Sequence, residues 1–578
     1  MLTNYLVNAP GRTRTCNLRI RSPELYPIEL RAPKLLTACT ITSSCICCQN
    51  LFYLHQAHGI DNVIDVMYLT VPISADNIDS AKEQILAAAK AGAEMLELRT
   101  DYLQGLSIEL LKRLIASAKE TSLPIIVTCR DVAEGGANDH SGQLRIEILL
   151  EAIRAGADFV DCEYANFKQN QDRLRGALSE KPKTRLILSA HNFQGKFADI
   201  VQLYQDISQS CPEAVPKRVY QANHLNDCFE GFDLLSSRKT DMIVLCMGQA
   251  GIISRIIAKK LGSLVTFASL DNDAATAPGQ LTIGQLKNLY RYDSIDADTE
   301  LFGVIADPVG HSISPQVYNS CFAHANQNKL YLPLLIQNGM KGFNEFLDNV
   351  RDREKLGLKG FSVTIPHKTN TLAYLNKHGE YIEPLAAKIG AVNTLKVGCN
   401  QRISGYNTDY AGAMDALASA MGIERKQLHG VSVTVVGAGG VSRAIVAGLT
   451  GVGAKVVIYN RTVAKAEQLA EEFNCKFAPA SALSNCDAEV IINCTSLGMY
   501  PETDVTPVPQ EVLKQGMVVF DTVYNPIETL LLAQAKQAGA KTVSGAEMFL
   551  GQAFAQYKLF TGTEADKKIM RAAILECL

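Results

Sequence analysis

A glycine-rich turn between an apolar run and a helical pattern constrains the fold of this chain more than any other feature. The run VTVVGAGGVSRA occupies positions 433–444, where an apolar stretch meets glycines and a helix is expected to open at Ser442. A second apolar strand is expected over 456–459. Glycines at such a turn let backbone N–H groups approach a pyrophosphate, and the helix N-terminus adds a favourable dipole. The pattern favours a dinucleotide-binding parallel sheet over an ordinary βαβ unit.

The residues after the second strand indicate which dinucleotide is bound. A fold that selects NAD usually carries Asp or Glu there, to accept hydrogen bonds from the ribose 2′-hydroxyl. Here the chain carries Asn460, Arg461 and Lys465, which suit a 2′-phosphate. The sequence therefore predicts an enzyme that uses NADP(H). The predicted cofactor-binding residues of the turn and of this strand end are Gly437, Ala438, Gly439, Gly440, Val441, Asn460, Arg461, Thr462 and Lys465.

Length and composition describe a globular protein of several domains. A chain of 578 residues is expected to hold about two to four domains, and 47% hydrophobic residues are enough to build large cores. The net charge of −3 gives no reason to expect nucleic acid or a membrane surface as a partner. Cys129, Cys162, Cys246 and Cys494 lie in apolar strand patterns and are expected to be buried free thiols, which indicates a reducing compartment.

The first 66 residues do not match the rest of the chain. They combine an arginine-bearing start with scattered cysteines and show no sustained amphipathic period. Such a segment is either a transit peptide or a chance translation upstream of a true start at Met67, and the second interpretation is favoured. We expect a cytoplasmic enzyme, or a plastid one if the segment is a genuine transit peptide. No metal site is expected, because the cysteines lack the partners that complete a zinc site.

From Met67 onward, apolar strands alternate with amphipathic helices. Eight strands with intervening helices over about 220 residues predict a (β/α)₈ barrel, with an open α/β sheet as the alternative. The predicted strands are 68–73, 95–100, 125–130, 159–163, 184–190, 217–221, 242–247 and 264–269.

Polar residues occur where such a barrel would place an active site. A charged side chain in an apolar strand is costly unless it is paired or faces a site, and barrel enzymes carry their sites at the C-terminal ends of the strands. We expect Lys217 to begin the sixth strand, His191 to end the fifth and Arg130 to end the third. The predicted site residues of this half are Glu97, Arg99, Arg130, Glu134, His191, Lys217, Arg255, Thr276 and Gln280.

Five motifs in this half resemble type I 3-dehydroquinate dehydratase. They are ELRTD (97–101), VTCR with EGG (127–136), SAHNF (189–193), GIISR (251–255) and APGQ (277–280). The resemblance implies an imine between Lys217 and the substrate ketone, with His191 as general acid/base oriented by Glu134 and Arg255 holding the substrate carboxylate. Glu97, Arg99, Arg130, Thr276 and Gln280 would bind ring hydroxyls. An aldolase is the alternative for the barrel alone, since it also uses a lysine of the sixth strand.

The remaining motifs resemble shikimate dehydrogenase, over residues 301 to about 575. They are LFGVIADPVGHSISP (301–315), GFSVTIPHK (360–368), GAVNTL (390–395), GYNTD (405–409), DTVYNPIET (521–529) and SGAEMFLGQ (544–552). The resemblance implies that Lys368 and Asp409 form the catalytic pair and that residues 493–498 contact the cofactor. By the same resemblance, Ser312 and Ser314 bind the substrate carboxylate, Thr364, Asn393 and Gln552 bind hydroxyls, and Tyr524 and Gly545 border the nicotinamide.

The order of these segments matches the dehydratase–dehydrogenase fusions of plants. The expected organisation is a tail (1–66), a dehydratase barrel (67–292), a polar linker, a substrate-binding domain (301–405), a Rossmann NADP domain (406–543) and C-terminal helices (544–578) that return to the substrate domain. The expected function is dehydration of 3-dehydroquinate to 3-dehydroshikimate and reduction of that product to shikimate with NADPH, with these small molecules as its partners and without a metal.

Two alternatives remain for the whole chain. A quinate dehydrogenase half that uses NAD is one, although Ser314, Thr364 and the absence of an acid at position 460 argue against it. A non-catalytic binding protein is the other, although such a protein would not have kept every acid and base that the two reactions require.

Overall fold

The computed structural model of the chain describes residues 67–271, 275–310, 312–337 and 339–578. The predictions for residues 1–66 lie outside the described residues. The strands of the first half are β1 (Tyr68–Ile73), β2 (Met95–Arg99), β3 (Ile125–Thr128), β4 (Phe159–Glu163), β5 (Arg185–Asn192), β6 (Val215–Gln221), β7 (Ile243–Met247) and β8 (Val265–Phe267). Its helices are α1 (Ile78–Lys90), α2 (Ile108–Lys119), α3 (Gly142–Arg154), α4 (Tyr164–Glu180), α5 (Ile200–Ser210), α6 (Phe229–Ser236), α7 (Ile252–Ile256) and α8 (Ala258–Leu261).

These eight strands form a nearly closed parallel barrel. Each strand pairs with its sequence neighbour, in the order β7-β6-β5-β4-β3-β2-β1-β8. The remaining junction, between β7 and β8, is bridged where the Leu264 N–H donates to the Met242 carbonyl over 2.8 Å. The predicted barrel is thus confirmed, and the open sheet is wrong.

The barrel helices follow from amphipathic spacing and capping. Helix α2 buries Leu111, Leu114, Ile115 and Ala118, which recur three or four residues apart on one face. The Ser107 hydroxyl caps this helix by accepting from the Leu110 N–H over 3.3 Å. Because the eight strands all run parallel, their C-terminal ends meet at one mouth of the barrel.

Most of the barrel strands begin or end one or two residues from the predicted bounds, and β5 runs on to Asn192, so His191 lies inside it. Two further differences change where site residues lie. Strand β6 begins at Val215, so Lys217 lies inside the strand rather than at its start. Pro216 lacks an N–H for the ladder and therefore obscured the beginning of the strand in the sequence pattern. Strand β3 ends at Thr128, so Arg130 lies in the loop that follows it.

The second half begins with a mixed sheet in the order β10-β9-β11-β13-β14-β12, in which β13 runs antiparallel to both neighbours. Its strands are β9 (Glu300–Ala306), β10 (Lys329–Leu335), β11 (Leu358–Val363), β12 (Tyr381–Ile382), β13 (Thr394–Val397) and β14 (Ile403–Tyr406). Its helices are α9 (Ser314–His324), α10 (Gly339–Asp352), α11 (Lys368–His378) and α12 (Pro384–Ile389).

The nucleotide-binding sheet is parallel throughout, in the order β17-β16-β15-β18-β19-β20, which is a Rossmann arrangement. Its strands are β15 (Ser432–Val436), β16 (Lys455–Asn460), β17 (Lys476–Pro479), β18 (Val490–Asn493), β19 (Val518–Asp521) and β20 (Lys541–Val543). The last helices are α13 (Asp409–Met421), α14 (Gly440–Gly451), α15 (Val463–Phe473), α16 (Leu530–Gln537), α17 (Gly545–Thr561) and α18 (Lys567–Cys577).

Helix α14 begins at Gly440, two residues before the predicted start at Ser442. The Ser442 hydroxyl instead accepts from the Gly439 N–H over 3.1 Å, as a residue in the first turn of a helix does in a capping box. Ser442 therefore lies in the first turn of α14 and is not the residue at which the helix begins.

Helix α17 returns from the nucleotide sheet and packs against α13 through glycines. A Cβ added to Gly551 would lie 2.8 Å from the Gly412 Cα, so only glycine permits this approach. Further along α17, Phe560 packs on Phe302 of β9, with ring centroids 5.3 Å apart. The helix therefore bridges the two sheets of the second half.

The predicted polar linker is anchored by the buried Tyr292, Ile295 and Thr299, while most of the residues between them are exposed. Tyr292 is fully buried and donates its hydroxyl to Glu94 over 3.2 Å, while Asn328 donates to Asp296 over 2.8 Å. These contacts tie the barrel to the following sheet. Among the described residues, no helix has the length and apolar character needed to cross a membrane.

Candidate active sites

A cavity opens at the C-terminal ends of the barrel strands, where the sequence predicted the first site. The structure brings all the predicted residues of this half to its wall. They are Glu97, Arg99, Arg130, Glu134, His191, Lys217, Arg255, Thr276 and Gln280.

Lys217 projects into the cavity from the middle of β6. Its Nζ lies 2.8 Å from Asp161 Oδ2, 3.8 Å from Glu97 Oε1 and 4.7 Å from the centre of the Phe267 ring. The side chain is buried, so this ammonium depends on the two carboxylates for its stability. A lysine held in this way has one polar side, toward Asp161, and one apolar side.

Asp161, Glu163 and Ser189 form a network that the sequence prediction missed. Arg130 donates to Asp161 and Glu163 over 2.9 Å each and to the Ser189 hydroxyl over 2.7 Å. Burial would raise the pKa of Asp161, but Arg130 and Lys217 together hold it well below its usual value. Asp161 therefore stays a carboxylate. The signal was present, because the apolar β4 carries two carboxylates at alternate positions, which face the same side of a strand.

His191 and Glu134 meet at the rim of the cavity. One carboxylate oxygen, Glu134 Oε2, lies 2.8 Å from His191 Nδ1 and accepts from the His191 backbone N–H over 3.0 Å. Burial raises the pKa of Glu134 to about 7. Burial and the neighbouring cations Arg130 and Lys217 hold the pKa of His191 well below its usual value. The imidazole is therefore neutral, and donation from Nδ1 to Glu134 leaves Nε2 as a free base.

Two further groups face the cavity with unused hydrogen-bonding capacity. Arg255 is buried, which lowers its pKa to about 10, and within the described residues no carboxylate pairs with it. Gln280 accepts from the Thr276 N–H over 2.8 Å, but its own Nε2 has no partner within the described residues. A buried cation without a counter-ion is costly, and a ligand carboxylate would compensate it.

The second cavity lies between the mixed sheet and the nucleotide sheet and has a volume of about 310 Å³, within the range of small-molecule sites. The structure brings most of the predicted dehydrogenase residues to its wall. They are Ser312, Ser314, Thr364, Lys368, Asn393, Asp409, Val441, Tyr524, Gly545 and Gln552.

Lys368 and Asp409 form an ion pair on the wall of this cavity. Lys368 Nζ lies 2.6 Å from Asp409 Oδ2, and each residue begins a helix, α11 and α13 respectively. A carboxylate in the first turn of a helix is stabilised by the helix dipole. Asp409 can therefore hold the lysine ammonium in place. Across the cavity, Ser314 begins α9, so its hydroxyl and that of Ser312 lie beside a helix N-terminus, where an anion is favoured.

Gln556, which the prediction missed, fixes the polar floor of the cavity. It accepts from the Tyr318 hydroxyl over 2.6 Å and the Ser362 hydroxyl over 2.7 Å, and it donates to the Thr394 hydroxyl over 2.9 Å. Asn393 is held in the same way, by accepting from the Thr408 N–H over 2.8 Å. The signal for Gln556 was its position one helical turn after Gln552, which places both on one face of α17.

The predicted cofactor turn lies at the end of β15. Gly437 has φ +110°, and a Cβ there would lie 3.1 Å from Thr495 Cγ2, so this position requires glycine. A Cβ on Gly439 or Gly440 would meet no atom within 4 Å, which leaves open space beside the backbone N–H groups. The turn is therefore open to a ligand on its outer side.

The end of β16 lies next to this turn, since the Gly437 N–H donates to the Tyr459 carbonyl over 2.8 Å. Asn460 donates to the Thr462 carbonyl over 2.8 Å and shapes the strand end. Arg461 and Lys465 are exposed there and make no ion pair with another described residue. Two cationic side chains that lack an ion-pair partner among the described residues thus lie beside the glycine turn.

The turn at residues 493–498 is built around a buried carboxylate. Asp521 is fully buried and accepts from the Asn493 amide over 2.9 Å and from the Thr529 hydroxyl over 2.7 Å. A Cβ on Gly545 would lie 2.5 Å from the Thr522 carbonyl oxygen, so the start of α17 is pressed against the segment that follows β19 and carries Tyr524. This packing fixes the far wall of the second cavity.

Four family models match the chain. Residues 69–297 match type I 3-dehydroquinase, and residues 304–395 match the shikimate dehydrogenase substrate binding domain. Residues 419–522 match shikimate / quinate 5-dehydrogenase, and residues 545–575 match the shikimate 5′-dehydrogenase C-terminal domain.

An Arabidopsis thaliana protein named bifunctional 3-dehydroquinate dehydratase/shikimate dehydrogenase, chloroplastic, is 35% identical over 526 residues, which are 88% of this chain and 84% of the relative. The chain belongs to this bifunctional family. Its first half is a type I dehydroquinase, a lyase, and its second half is a shikimate dehydrogenase, an oxidoreductase. The family predicted from the sequence motifs is confirmed.

Two further similarities concern one half or the whole chain. A shikimate dehydrogenase (NADP(+)) of Methanosarcina acetivorans is 39% identical over 293 residues, which are 48% of this chain and 98% of the relative. The solved structure of dehydroquinate dehydratase and shikimate dehydrogenase from S. pombe AroM aligns at 25% identity with a TM-score of 0.40, over 88% of this chain and 98% of that chain.

Some expectations for this family member stay predictions. Within the described residues, no group of His, Cys, Asp and Glu is arranged to hold a metal ion. The absence of a metal from the reactions and the cellular location are predictions still. The described cysteines are free thiols, and Cys129, Cys162 and Cys246 are buried as predicted, whereas Cys494 is partly exposed. The reducing compartment stays a prediction.

Proposed function

We propose that the bifunctional chain carries out two consecutive reactions in two separate cavities. Lys217 and its neighbours dehydrate 3-dehydroquinate, and Lys368 with Asp409 reduces the 3-dehydroshikimate that results, with NADPH. The observation that carries the proposal is the presence of one lysine–carboxylate pair in each cavity, each surrounded by the residues that its reaction requires. The pair in the barrel adjoins a neutral imidazole, and the pair in the second half adjoins the nucleotide turn.

Dehydration begins when Lys217 gives up a proton and its amine adds to the substrate ketone; the proton returns as water leaves, which forms a protonated imine. His191 Nε2 then takes the proton from the carbon next to the imine, and the electron pair moves to the imine nitrogen. The hydroxyl one carbon further on leaves as water with the proton from His191. Hydrolysis of the imine releases the ketone product and restores Lys217. Asp161 stays ionised throughout and holds the nitrogen in position, while Arg255 binds the substrate carboxylate.

The protonation of Glu134 should set the acid side of the dehydration profile. A carboxyl group with a pKa of about 7 gains a proton as the pH falls below neutrality, and it then donates toward His191 Nδ1 instead of accepting. The imidazole proton consequently moves to Nε2, and the base is lost. We expect kcat for dehydration to fall as the pH falls through about 7, and we expect this fall to be absent in Glu134→Gln.

The measurement is kcat for 3-dehydroquinate across the neutral range in both proteins. Reduction of added 3-dehydroshikimate, recorded in the same samples, is the control, because Glu134 does not line the second cavity. Identical acid limbs in the two proteins would contradict the assignment.

The second cavity fits a substrate carboxylate at one end and a ketone at the other. Ser312 and Ser314, at the start of α9, would bind the carboxylate, and Thr364, Asn393 and Gln552 would bind the ring hydroxyls. NADPH, when bound, supplies the hydride for the reduction. Lys368 donates its proton to the carbonyl oxygen as that oxygen gains charge, and Asp409 keeps the ammonium aimed at it.

The chain's own residues fit NADPH better than NADH. Gly437, Gly439 and Gly440 leave room for a pyrophosphate at the N-terminus of α14. Arg461 and Lys465, at the end of β16, form no ion pair within the described part of the chain. A 2′-phosphate offers acceptor oxygens to an arginine fork, and such charge-assisted bonds are stronger than neutral ones. Val441, Tyr524 and Gly545 would border the nicotinamide.

Arg461→Ala should weaken the use of NADPH selectively. Loss of a charged hydrogen bond costs about 1.5 to 3 kcal/mol, so we expect kcat/KM for NADPH to fall by roughly 10- to 100-fold relative to that for NADH. Arg461→Asp should reverse the preference, since a carboxylate repels the phosphate. Lys455→Ala, at the opposite and exposed end of β16, is the matched control and should change neither value. Equal use of both cofactors by the unmodified enzyme would contradict the proposal.

The proposal as a whole is tested with the purified chain and 3-dehydroquinate. Without cofactor the product should be 3-dehydroshikimate. With NADPH the product should be shikimate, and one NADPH should be consumed for each shikimate formed. The alternative quinate activity predicts oxidation of quinate with NAD at a rate that exceeds oxidation of shikimate with NADP. A protein that turns over neither substrate would support the non-catalytic alternative.

A further inference from the structure

The two enzyme halves meet at a buried polar contact beside the second active site. His224 follows β6, the strand of Lys217, and is 7% exposed. Its Nδ1 accepts from the Asn226 N–H over 3.0 Å, so its Nε2 carries the proton and donates to the carbonyl of Gln337 over 3.0 Å. Asn226 donates to the Gly342 carbonyl over 3.1 Å. A loop of the dehydratase half thus holds the chain that follows β10 of the dehydrogenase half.

The carbonyl next to that of Gln337 is held from the other side. His367 lies 2.7 Å through its Nε2 from the Ile336 carbonyl oxygen, and its ring stacks on Phe343 with centroids 5.1 Å apart. His367 is fully buried and immediately precedes Lys368. Two histidines, one from each half, therefore bind consecutive carbonyls, and the second of them adjoins the lysine of the reductase pair.

The backbone and the side chains around these hydrogen bonds are closely packed. A Cβ added to Gly342 would lie 2.6 Å from His224 Nε2 and 2.2 Å from the Gln337 carbonyl oxygen, so the backbone here touches the imidazole. Ile336 and Phe343 are fully buried. A displacement of His224 must therefore move the backbone at Ile336 and Gln337, which in turn carries His367.

We infer that His224 of the dehydratase half is a positioning residue for Lys368 of the dehydrogenase half. It acts through the Gln337 and Ile336 carbonyls and through His367, and it touches neither substrate nor cofactor. The inference rests on the proposed role of Lys368. A small misplacement of a proton donor lowers the rate of the step in which it acts, while binding energy remote from the donor is kept.

Two substitutions in the full-length chain separate the two bonds of His224. Asparagine is a strong N-cap and keeps an acceptor for the Asn226 N–H, but it is too short to donate to Gln337. Glutamine places its amide nitrogen near the position of Nε2 and keeps that donor. We expect His224→Asn to lower kcat for reduction of 3-dehydroshikimate by about 3- to 10-fold, the effect of one lost hydrogen bond. KM for NADPH and kcat for dehydration should stay unchanged, and His224→Gln should restore the reduction.

Arg353→Gln is the matched control on the same interface. Arg353 pairs with Asp233 over 2.8 and 2.7 Å between the two halves, away from the Gln337 and Ile336 carbonyls. This variant should leave both activities unchanged. The inference is overturned if His224→Asn reduces at the normal rate, if it lowers both activities together, or if Arg353→Gln lowers reduction to the same extent. Lys368→Ala is measured alongside, because normal reduction in that variant would refute the proposed role of Lys368 itself, independently of His224.

Discussion

Replacement of Lys217 by alanine is expected to abolish dehydration of 3-dehydroquinate and to leave reduction of added 3-dehydroshikimate intact. Among the residues that line the barrel cavity, Lys217 alone carries a primary amine, so no other group there can form the imine. The second cavity has its own lysine and shares no lining residue with the first. Rates for the two substrates, measured separately on one preparation, give the result.

Lys217→Arg is the matched control for this prediction. Arginine keeps a cation beside Asp161 and Glu97, and hence avoids leaving these buried carboxylates uncompensated, but it does not form an imine. It should be as inactive in dehydration as the alanine variant. Borohydride added to the unmodified enzyme with 3-dehydroquinate should fix substrate mass onto the peptide that contains Lys217. Labelling of a different peptide would overturn the imine assignment.

Replacement of Lys368 by alanine is expected to lower reduction of 3-dehydroshikimate by about 10² to 10⁴, the usual contribution of a general acid. The ammonium lies 2.6 Å from Asp409 and is the only lysine on the wall of the second cavity among the described residues. Dehydration in the barrel should proceed at the normal rate. The two activities are measured with 3-dehydroshikimate plus NADPH and with 3-dehydroquinate alone.

Lys377→Ala is the control for Lys368→Ala. Lys377 lies in the last turns of the same helix, α11, and is exposed to solvent away from the cavity. It should leave reduction unchanged. A loss of both activities in Lys368→Ala would contradict two independent sites, and an unaltered rate of reduction would remove Lys368 from the chemistry.

Local pattern was sufficient to predict the architecture and many of the residues that line the two cavities. Eight apolar runs separated by amphipathic helices predict a barrel. The spacing of apolar residues that is typical of a strand or a helix can be recognised within a short stretch of sequence. Lys217, His191 and Arg255 stood out because a charged or basic side chain in or beside an apolar strand requires a partner or a site. Gly437, Gly439 and Gly440 stood out because glycines after an apolar strand permit a tight turn and the close approach of a ligand.

Other features depended on contacts between residues far apart in the chain. Asp161 and Lys217 are 56 positions apart, and no periodicity indicates that their side chains meet inside the barrel. His224 and Gln337 are separated by 113 positions and belong to different halves. Whether such residues meet is determined by the closure of the barrel and by the packing of the two halves against each other.

The sequence by itself determined which groups were present for each reaction, and in which order the two enzymes follow one another. Only the tertiary structure decided the electrostatic state of those groups. Burial and the cations Arg130 and Lys217 lower the pKa of His191, so its imidazole is neutral. Burial alone would raise the pKa of Asp161, but the same two cations outweigh it and keep Asp161 a carboxylate. A pKa depends on distances and on exclusion of water, and both exist only after the strands have come together.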